Sequence, residues 1–141
     1  AAKVIEAAGL HAVGQDTEEW AHLEYWINVE TATPTFIISP DGRGHSRAAE
    51  IMEPMKRIGR KIIAVVPEGD TAVASSASHV FPVIGKVREM FSPMVYALAS
   101  EMFSAYLYKE VGAEPFRASR PVYESGTNTI RVSKIMKASE L

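Results

Sequence analysis

Two short apolar runs set the limits on what this chain can become. Residues 34–39 read P-T-F-I-I-S and residues 61–67 read K-I-I-A-V-V-P. Both are strand-sized, rich in β-branched residues and apolar at consecutive positions, the pattern of a strand covered on both faces. Between them, residues 46–58 repeat apolar side chains at helical spacing, Ala49, Met52, Met55 and Ile58, with Pro54 expected to bend the helix. A strand, a helix and a second strand in that order make a parallel pair with a crossover helix. The expected fold class is therefore α/β, a three-layer αβα sandwich around a mostly parallel sheet.

The rest of the chain fits that scheme. Residues 1–8 have helix-forming composition and Gly9 is placed to stop them. Residues 11–15 are a short strand candidate. Asp16 is a good N-cap with Glu19 three residues on, opening a helix to about Ile27 that carries Trp20, His22, Leu23 and Trp26. Residues 69–78 form a small-residue loop, and residues 79–84 are a third strand, placed at an edge by Pro82. The longest helix is expected over 92–111, with Ser92 as cap, Pro93 at the first helical position and Gly112 at the end. Its broad stripe of Met94, Val95, Leu98, Ala99, Met102, Phe103, Tyr106 and Leu107 suits a core or a dimer surface. Residues 129–135 alternate weakly, as in a short strand or a tail.

Composition excludes several function classes. With no cysteine among 141 residues, disulfides and thiolate metal sites are ruled out, and the scattered His11, His45 and His79 give no zinc spacing. A net charge of −2 offers no general attraction to nucleic acid or to an anionic membrane, so any anion must be met locally. No run approaches the roughly 20 apolar residues of a membrane span. No secretory signal is visible and the expected address is cytoplasmic. The chain opens without methionine on helix-forming residues, as expected of a piece continuing a longer domain whose first strand it lacks.

In open parallel sheets, ligands sit beyond the carboxyl ends of the strands. That rule points to the loops around Gln15, Asp41 and Glu68. The loop Ser39-Pro40-Asp41-Gly42-Arg43-Gly44-His45-Ser46 joins a strand to a helix. Backbone N–H groups there can face an anion, the glycines permit close approach, and Arg43 adds a forked donor. Its candidate binding residues are Ser39, Gly42, Arg43, Gly44, His45 and Ser46. It is neither a Walker loop nor a dinucleotide fingerprint, and the same pattern serves as an ordinary turn with an N-cap. A second constellation is Glu6, Glu19 and His22. Glu19 and His22 lie three apart on a helix, and a carboxylate with an imidazole in one cleft can divide acid and base work. Such residues also meet near helix starts by chance. Ser75-Ser76-Ala77-Ser78 precedes a strand, so no helix dipole faces it and it reads as a plain loop.

Across residues 1–117 the order of these pieces resembles the sugar isomerase (SIS) domain family. The likeness is to the second SIS half of glucosamine-fructose-6-phosphate aminotransferases and the fructosamine-6-phosphate deglycases. Ala2-Lys3-Val4-Ile5-Glu6 falls on that family's Leu-Lys-x-x-Glu helix end, and Glu19-Trp20-Ala21-His22 on its Glu-Leu-x-His-Gly-Pro motif. T-P-T-F-I-I-S-P, K-I-I-A-V-V-P-E-G-D and S-P-M-V-Y-A-L-A-S-E-M-F follow as strand, strand and long helix. The resemblance implies a flavodoxin-like SIS domain over 1–117, with a tail over 118–141. It implies Glu6 as the base moving a proton between C1 and C2 of an open-chain sugar phosphate. His22 would assist ring opening across a homodimer, and residues 39–46 would take the phosphate. No cofactor is implied.

The departures are specific. Leu23-Glu24 stands where the family has Gly-Pro, Asp41 replaces a phosphate-loop serine, and the Schiff-base lysine has no clear match, Lys134 and Lys137 being the substitutes at hand. Two readings follow: an isomerase or deglycase segment acting on a phosphorylated ketose or amino sugar, and a SIS module that binds sugar phosphate or dimerises without chemistry.

Overall fold

The computed structural model describes residues 1–27 and 33–114. The tail over 118–141, the strand candidate at 129–135 and both Lys134 and Lys137 lie outside them. The chain divides into two compact units, residues 13–102 and residues 1–12 together with 103 onward.

The larger unit is built on a three-stranded parallel sheet of order β1-β2-β3, with β1 Pro34–Ile38, β2 Lys61–Pro67 and β3 His79–Val83. β1 pairs with β2 from Pro34↔Lys61 to Ile38↔Val65, and β2 with β3 from Ile63↔His79 to Pro67↔Val83. The middle strand earns its place by composition. Ile62, Ile63, Ala64, Val65 and Val66 are all buried. Successive strand residues face opposite ways, so both faces of β2 are covered. Ile62, Ala64 and Val66 join one core cluster with helix α4 (His45–Arg57), while Ile63 and Val65 are buried on the other face.

α4 buries Ala48, Ile51, Met52 and Met55, an i, i+3, i+4, i+7 set. Each large side chain contributes about 1.5–3 kcal/mol by leaving water. The packed face is thus rotated from the expected Ala49, Met52, Met55, Ile58 series, and the helix starts at His45 rather than at Ser46. It continues through Pro54 and ends where Gly59 takes a left-handed conformation, φ 83°, its N–H meeting the Lys56 carbonyl.

The helical run over 17–27 comprises α2 (Thr17–Glu19), a π-helical turn Trp20–Glu24 and α3 (Tyr25–Ile27). Asp16 caps it as expected, its carboxylate accepting the Glu19 N–H at 2.8 Å. The wide turn brings residues five apart together. The Tyr25 N–H meets the Trp20 carbonyl, and the two rings pack edge to face with centroids 6.2 Å apart. Trp20 and Ala21 lie against the core cluster, whereas Leu23 and Trp26 are exposed.

Several expectations are corrected. Residues 11–15 form no strand; they join the two compact units, and His11, Gly14 and Gln15 supply no apolar face that a sheet could bury. β1 is not covered on both faces: Ile37 is buried on one and Ile38 is exposed on the other. The helix α5 (Ser92–Glu110) turns part of its expected stripe outward, with Met94, Leu98, Met102 and Tyr106 exposed and Tyr96 and Ser104 buried instead. Ser92 does not cap it through an amide; its hydroxyl donates to the Glu89 carbonyl at 2.7 Å. In the smaller unit, α1 (Ala2–Ala8) ends at Gly9 with φ 66°. No described helix is long and apolar enough to cross a membrane.

Candidate functional site

β1 delivers Ser39 to the end of the sheet, where its N–H still bonds the Val65 carbonyl at 2.9 Å. β2 ends at Pro67, and the following turn, closed by the Asp70 N–H on the Pro67 carbonyl at 3.1 Å, brings Asp70 to the same edge. His45, the first residue of α4, lies between them. Its Nδ1 is 2.9 Å from the Ser39 Oγ and its Nε2 is 2.8 Å from the Asp70 Oδ2. The other oxygen of Asp70 accepts the Val73 and Ala74 N–H groups, both at 2.9 Å, and so caps the short 3₁₀ turn Ala74–Ser76. All three side chains are enclosed: Ser39 is 3% exposed, and the His45 and Asp70 side chains 20% and 7%.

The carboxylate can only accept from Nε2–H, which leaves the Nδ1 of a neutral ring as acceptor for the Ser39 O–H. This is the connectivity of a nucleophile, a base and an orienting acid. Ser39 is nevertheless buried, so its hydroxyl is spent within the fold and the set acts as a bridge between the loops after β1 and β2.

The outer wall of the first loop is made by Glu89. Its carboxylate accepts the Arg43 N–H at 3.4 Å and lies 3.8 Å from the Arg43 Nε, while the Arg43 side chain is 96% exposed. Gly42 has φ 152°, a backbone conformation that favours glycine; a Cβ there would sit 2.8 Å from the Glu89 carboxyl carbon, so a larger residue would also displace that carboxylate from Arg43. Tyr96 on α5 is buried. Burial pushes its hydroxyl above the ordinary tyrosine value, and the charges of Asp41 and Asp70 add to the shift.

The remaining sequence candidates are more open. Gly44 is the N-cap of α4 with open space where a Cβ would stand, and Ser46 and Asp41 are exposed. His22 is 74% exposed with Nε2 3.7 Å from Glu18, so its charged neighbour is Glu18 rather than Glu19. Glu18 also pairs with Arg47, which pairs with Glu50 at 2.8 Å. Glu19 is exposed. Glu6 belongs to the smaller unit, where its 41% exposed carboxylate pairs with Lys3 at 3.0 Å. Among the described residues no group of three or more His, Asp or Glu could hold a metal ion.

Asp70, Glu89 and Tyr96 are absent from the sequence candidates. Asp70 did carry a signal, since it follows a buried strand and precedes T-A-V-A-S-S, where an Asp can cap a turn.

No protein-family model matches the chain. Its relatives include glutamine–fructose-6-phosphate aminotransferases (isomerizing). The chain is 30% identical over 125 residues to that of Tropheryma whipplei strain TW08/27, covering 86% of the chain and 20% of the relative. It is 24% identical over 115 residues to that of Methanothermobacter thermautotrophicus, covering 82% and 19%. It is 27% identical over 114 residues to that of Brucella abortus biovar 1, covering 81% and 19%. The chain is thus related to a segment of these aminotransferases and spans about a fifth of their length.

Proposed function

We propose that this chain is a SIS-type segment that receives a phosphorylated ketose or amino sugar at the carboxyl ends of β1 and β2. In this reading it serves proton transfer between C1 and C2 of the open-chain sugar. The observation that carries the reading is the similarity, over four-fifths or more of the chain, to aminotransferases whose name specifies both fructose 6-phosphate and isomerisation. The loop 39–46 supports it by its place, because it joins a sheet strand to the start of a 13-residue helix.

The roles are those the family resemblance implies. Glu6 takes the proton from one carbon and returns it to the other through an enediol or enolamine, leaving atoms and charge balanced. His22 hands a proton to the ring oxygen as the sugar opens, with Glu19 beside it on the same helical run. Phosphate is met by the Gly42–Gly44 backbone and by Arg43, which must exchange Glu89 for the ligand. The domain extends over 1–117 with a tail over 118–141, and the working form is a cytoplasmic homodimer.

Titration with fructose 6-phosphate by calorimetry, together with proton exchange at C1 in deuterated water, tests this reading. Binding with exchange is expected, and Glu6→Gln should abolish the exchange while leaving binding. Full exchange in Glu6→Gln would overturn the role of Glu6.

A second reading, a SIS module that binds without chemistry, draws support from the exposure of His22 and from the Glu89 carboxylate held at Arg43. It predicts calorimetric binding with no exchange in the unsubstituted protein.

A further inference from the structure

Asp70 and Ser39 are far apart in sequence and belong to different loops, yet one imidazole joins them through short contacts at both nitrogens. Asp70 is itself held by two backbone amides of the turn it caps. An acceptor fixed in this way dictates which ring nitrogen carries the proton, and the ring nitrogen in turn dictates where the Ser39 hydroxyl points. We propose that Asp70 is a positioning residue for the loop 39–46. Through His45 it sets the imidazole tautomer and the Ser39 hydroxyl, and so holds the loop in the shape that meets a phosphorylated sugar.

The consequence is a coupling between two loops that meet at one imidazole. With Asp70 accepting from Nε2–H, Ser39 donates to Nδ1, and its proton is withheld from any ligand. An asparagine at position 70 can keep accepting the Val73 and Ala74 amides, but its NH₂ then faces His45. The ring answers by moving its proton to Nδ1, which turns Ser39 from donor to acceptor. The loop after β1 is thereby altered by a change made in the loop after β2. The ligand half of this inference rests on the sugar-phosphate reading; the coupling half does not.

The test uses ¹⁵N shifts of the His45 ring, which distinguish its two neutral tautomers, and amide hydrogen exchange under mildly alkaline conditions. The wild-type ring should show the Nε2–H tautomer and Asp70→Asn the Nδ1–H tautomer. Exchange at residues 41–44 should rise about tenfold or more in Asp70→Asn, since a reversed bridge without the carboxylate's charge holds the loop less firmly and raises local opening. Ser39→Ala, which only removes a hydroxyl, provides the second variant should Asp70→Asn not fold. By reciprocity it should speed exchange at residues 70–74. Changes confined to the substituted loop in either variant would overturn the coupling.

Calorimetry with fructose 6-phosphate then addresses the ligand half. A tenfold or greater loss of affinity in Asp70→Asn supports positioning. An unchanged affinity despite a flipped tautomer refutes it. Absence of binding by the wild-type protein refutes the sugar-phosphate reading and the ligand half with it, while the spectra still decide the coupling.

Discussion

Two clusters that each pair a histidine with a carboxylate lie in the larger unit and behave differently. On the helical run over 17–27, Glu18, His22 and the Arg47 of α4 meet in the open, and Glu18 answers to Arg47 and His22 together. At the sheet edge, Ser39, His45 and Asp70 meet under cover, and each ring nitrogen of His45 has one partner. The difference lies in what holds the carboxylate. Glu18 is half exposed and meets only side chains, Arg47 and His22, whereas Asp70 is fixed by two main-chain amides. Exposed pairs contribute little because solvent screens them and side-chain entropy opposes them. Enclosed polar groups must keep their partners, since water cannot replace them. The contrast teaches that a histidine and a carboxylate become an organised unit only where the backbone orients one of them.

The largest effect should come from the core beneath both clusters. Met52→Ala removes a fully buried side chain of α4 and should cost about 2–5 kcal/mol in urea denaturation. A loss below about 1 kcal/mol would mean that α4 is not seated on β2 as described.

Next comes the enclosed cluster. His45→Ala leaves Ser39 and Asp70 without their shared partner and should cost about 1–3 kcal/mol by the same measurement. Unchanged stability would erase the distinction between the two regions.

Tyr96 sharpens the comparison through pH. Its hydroxyl is held above the ordinary value near 10, so the folded chain keeps that proton more tightly than the unfolded one. The associated stability is constant below about pH 10 and falls as pH rises beyond it. Ultraviolet titration should show one tyrosine ionising after the normal ones, and Tyr96→Phe should remove that step. A Phe variant with the same late step would assign it elsewhere.

The smallest effect belongs to the exposed cluster. The Glu18 carboxyl is held below the usual range, first by its hydrogen bond to Arg47. Its small contribution is present above the ordinary carboxylate value of about 4.3 and is lost as pH falls through the lowered one. Glu18→Gln should shift the urea midpoint less than His45→Ala does, and moderate salt should remove the shift. A larger shift than that of His45→Ala would invert the comparison.

Much of the frame was legible because period is a local property. The consecutive apolar residues of β2, the spacing along α4 and the Asp16 cap all lie within a few residues of one another, so the chain displays them without its fold. The orientation of α4 was not, since Ala48 and Ala49 are alike in sequence and only the sheet decides which is buried. The π-helical turn was hidden for the same reason. The site divides similarly. The strand-to-helix loop 39–46 could be read from its glycines and its position, but the Ser39 hydroxyl looked available to a phosphate when it is bound to His45. Asp70 and Glu89 act across 25 and 46 residues, respectively, and no local pattern announces such contacts.

The proposed function requires the carboxyl ends of β1 and β2 to form one ligand-receiving edge. Mapping of ¹H–¹⁵N shifts during titration with fructose 6-phosphate tests it most directly. Saturable changes are expected at residues 39–46 and 68–74 together. Changes confined to other parts of the chain, or none at millimolar ligand, would contradict it.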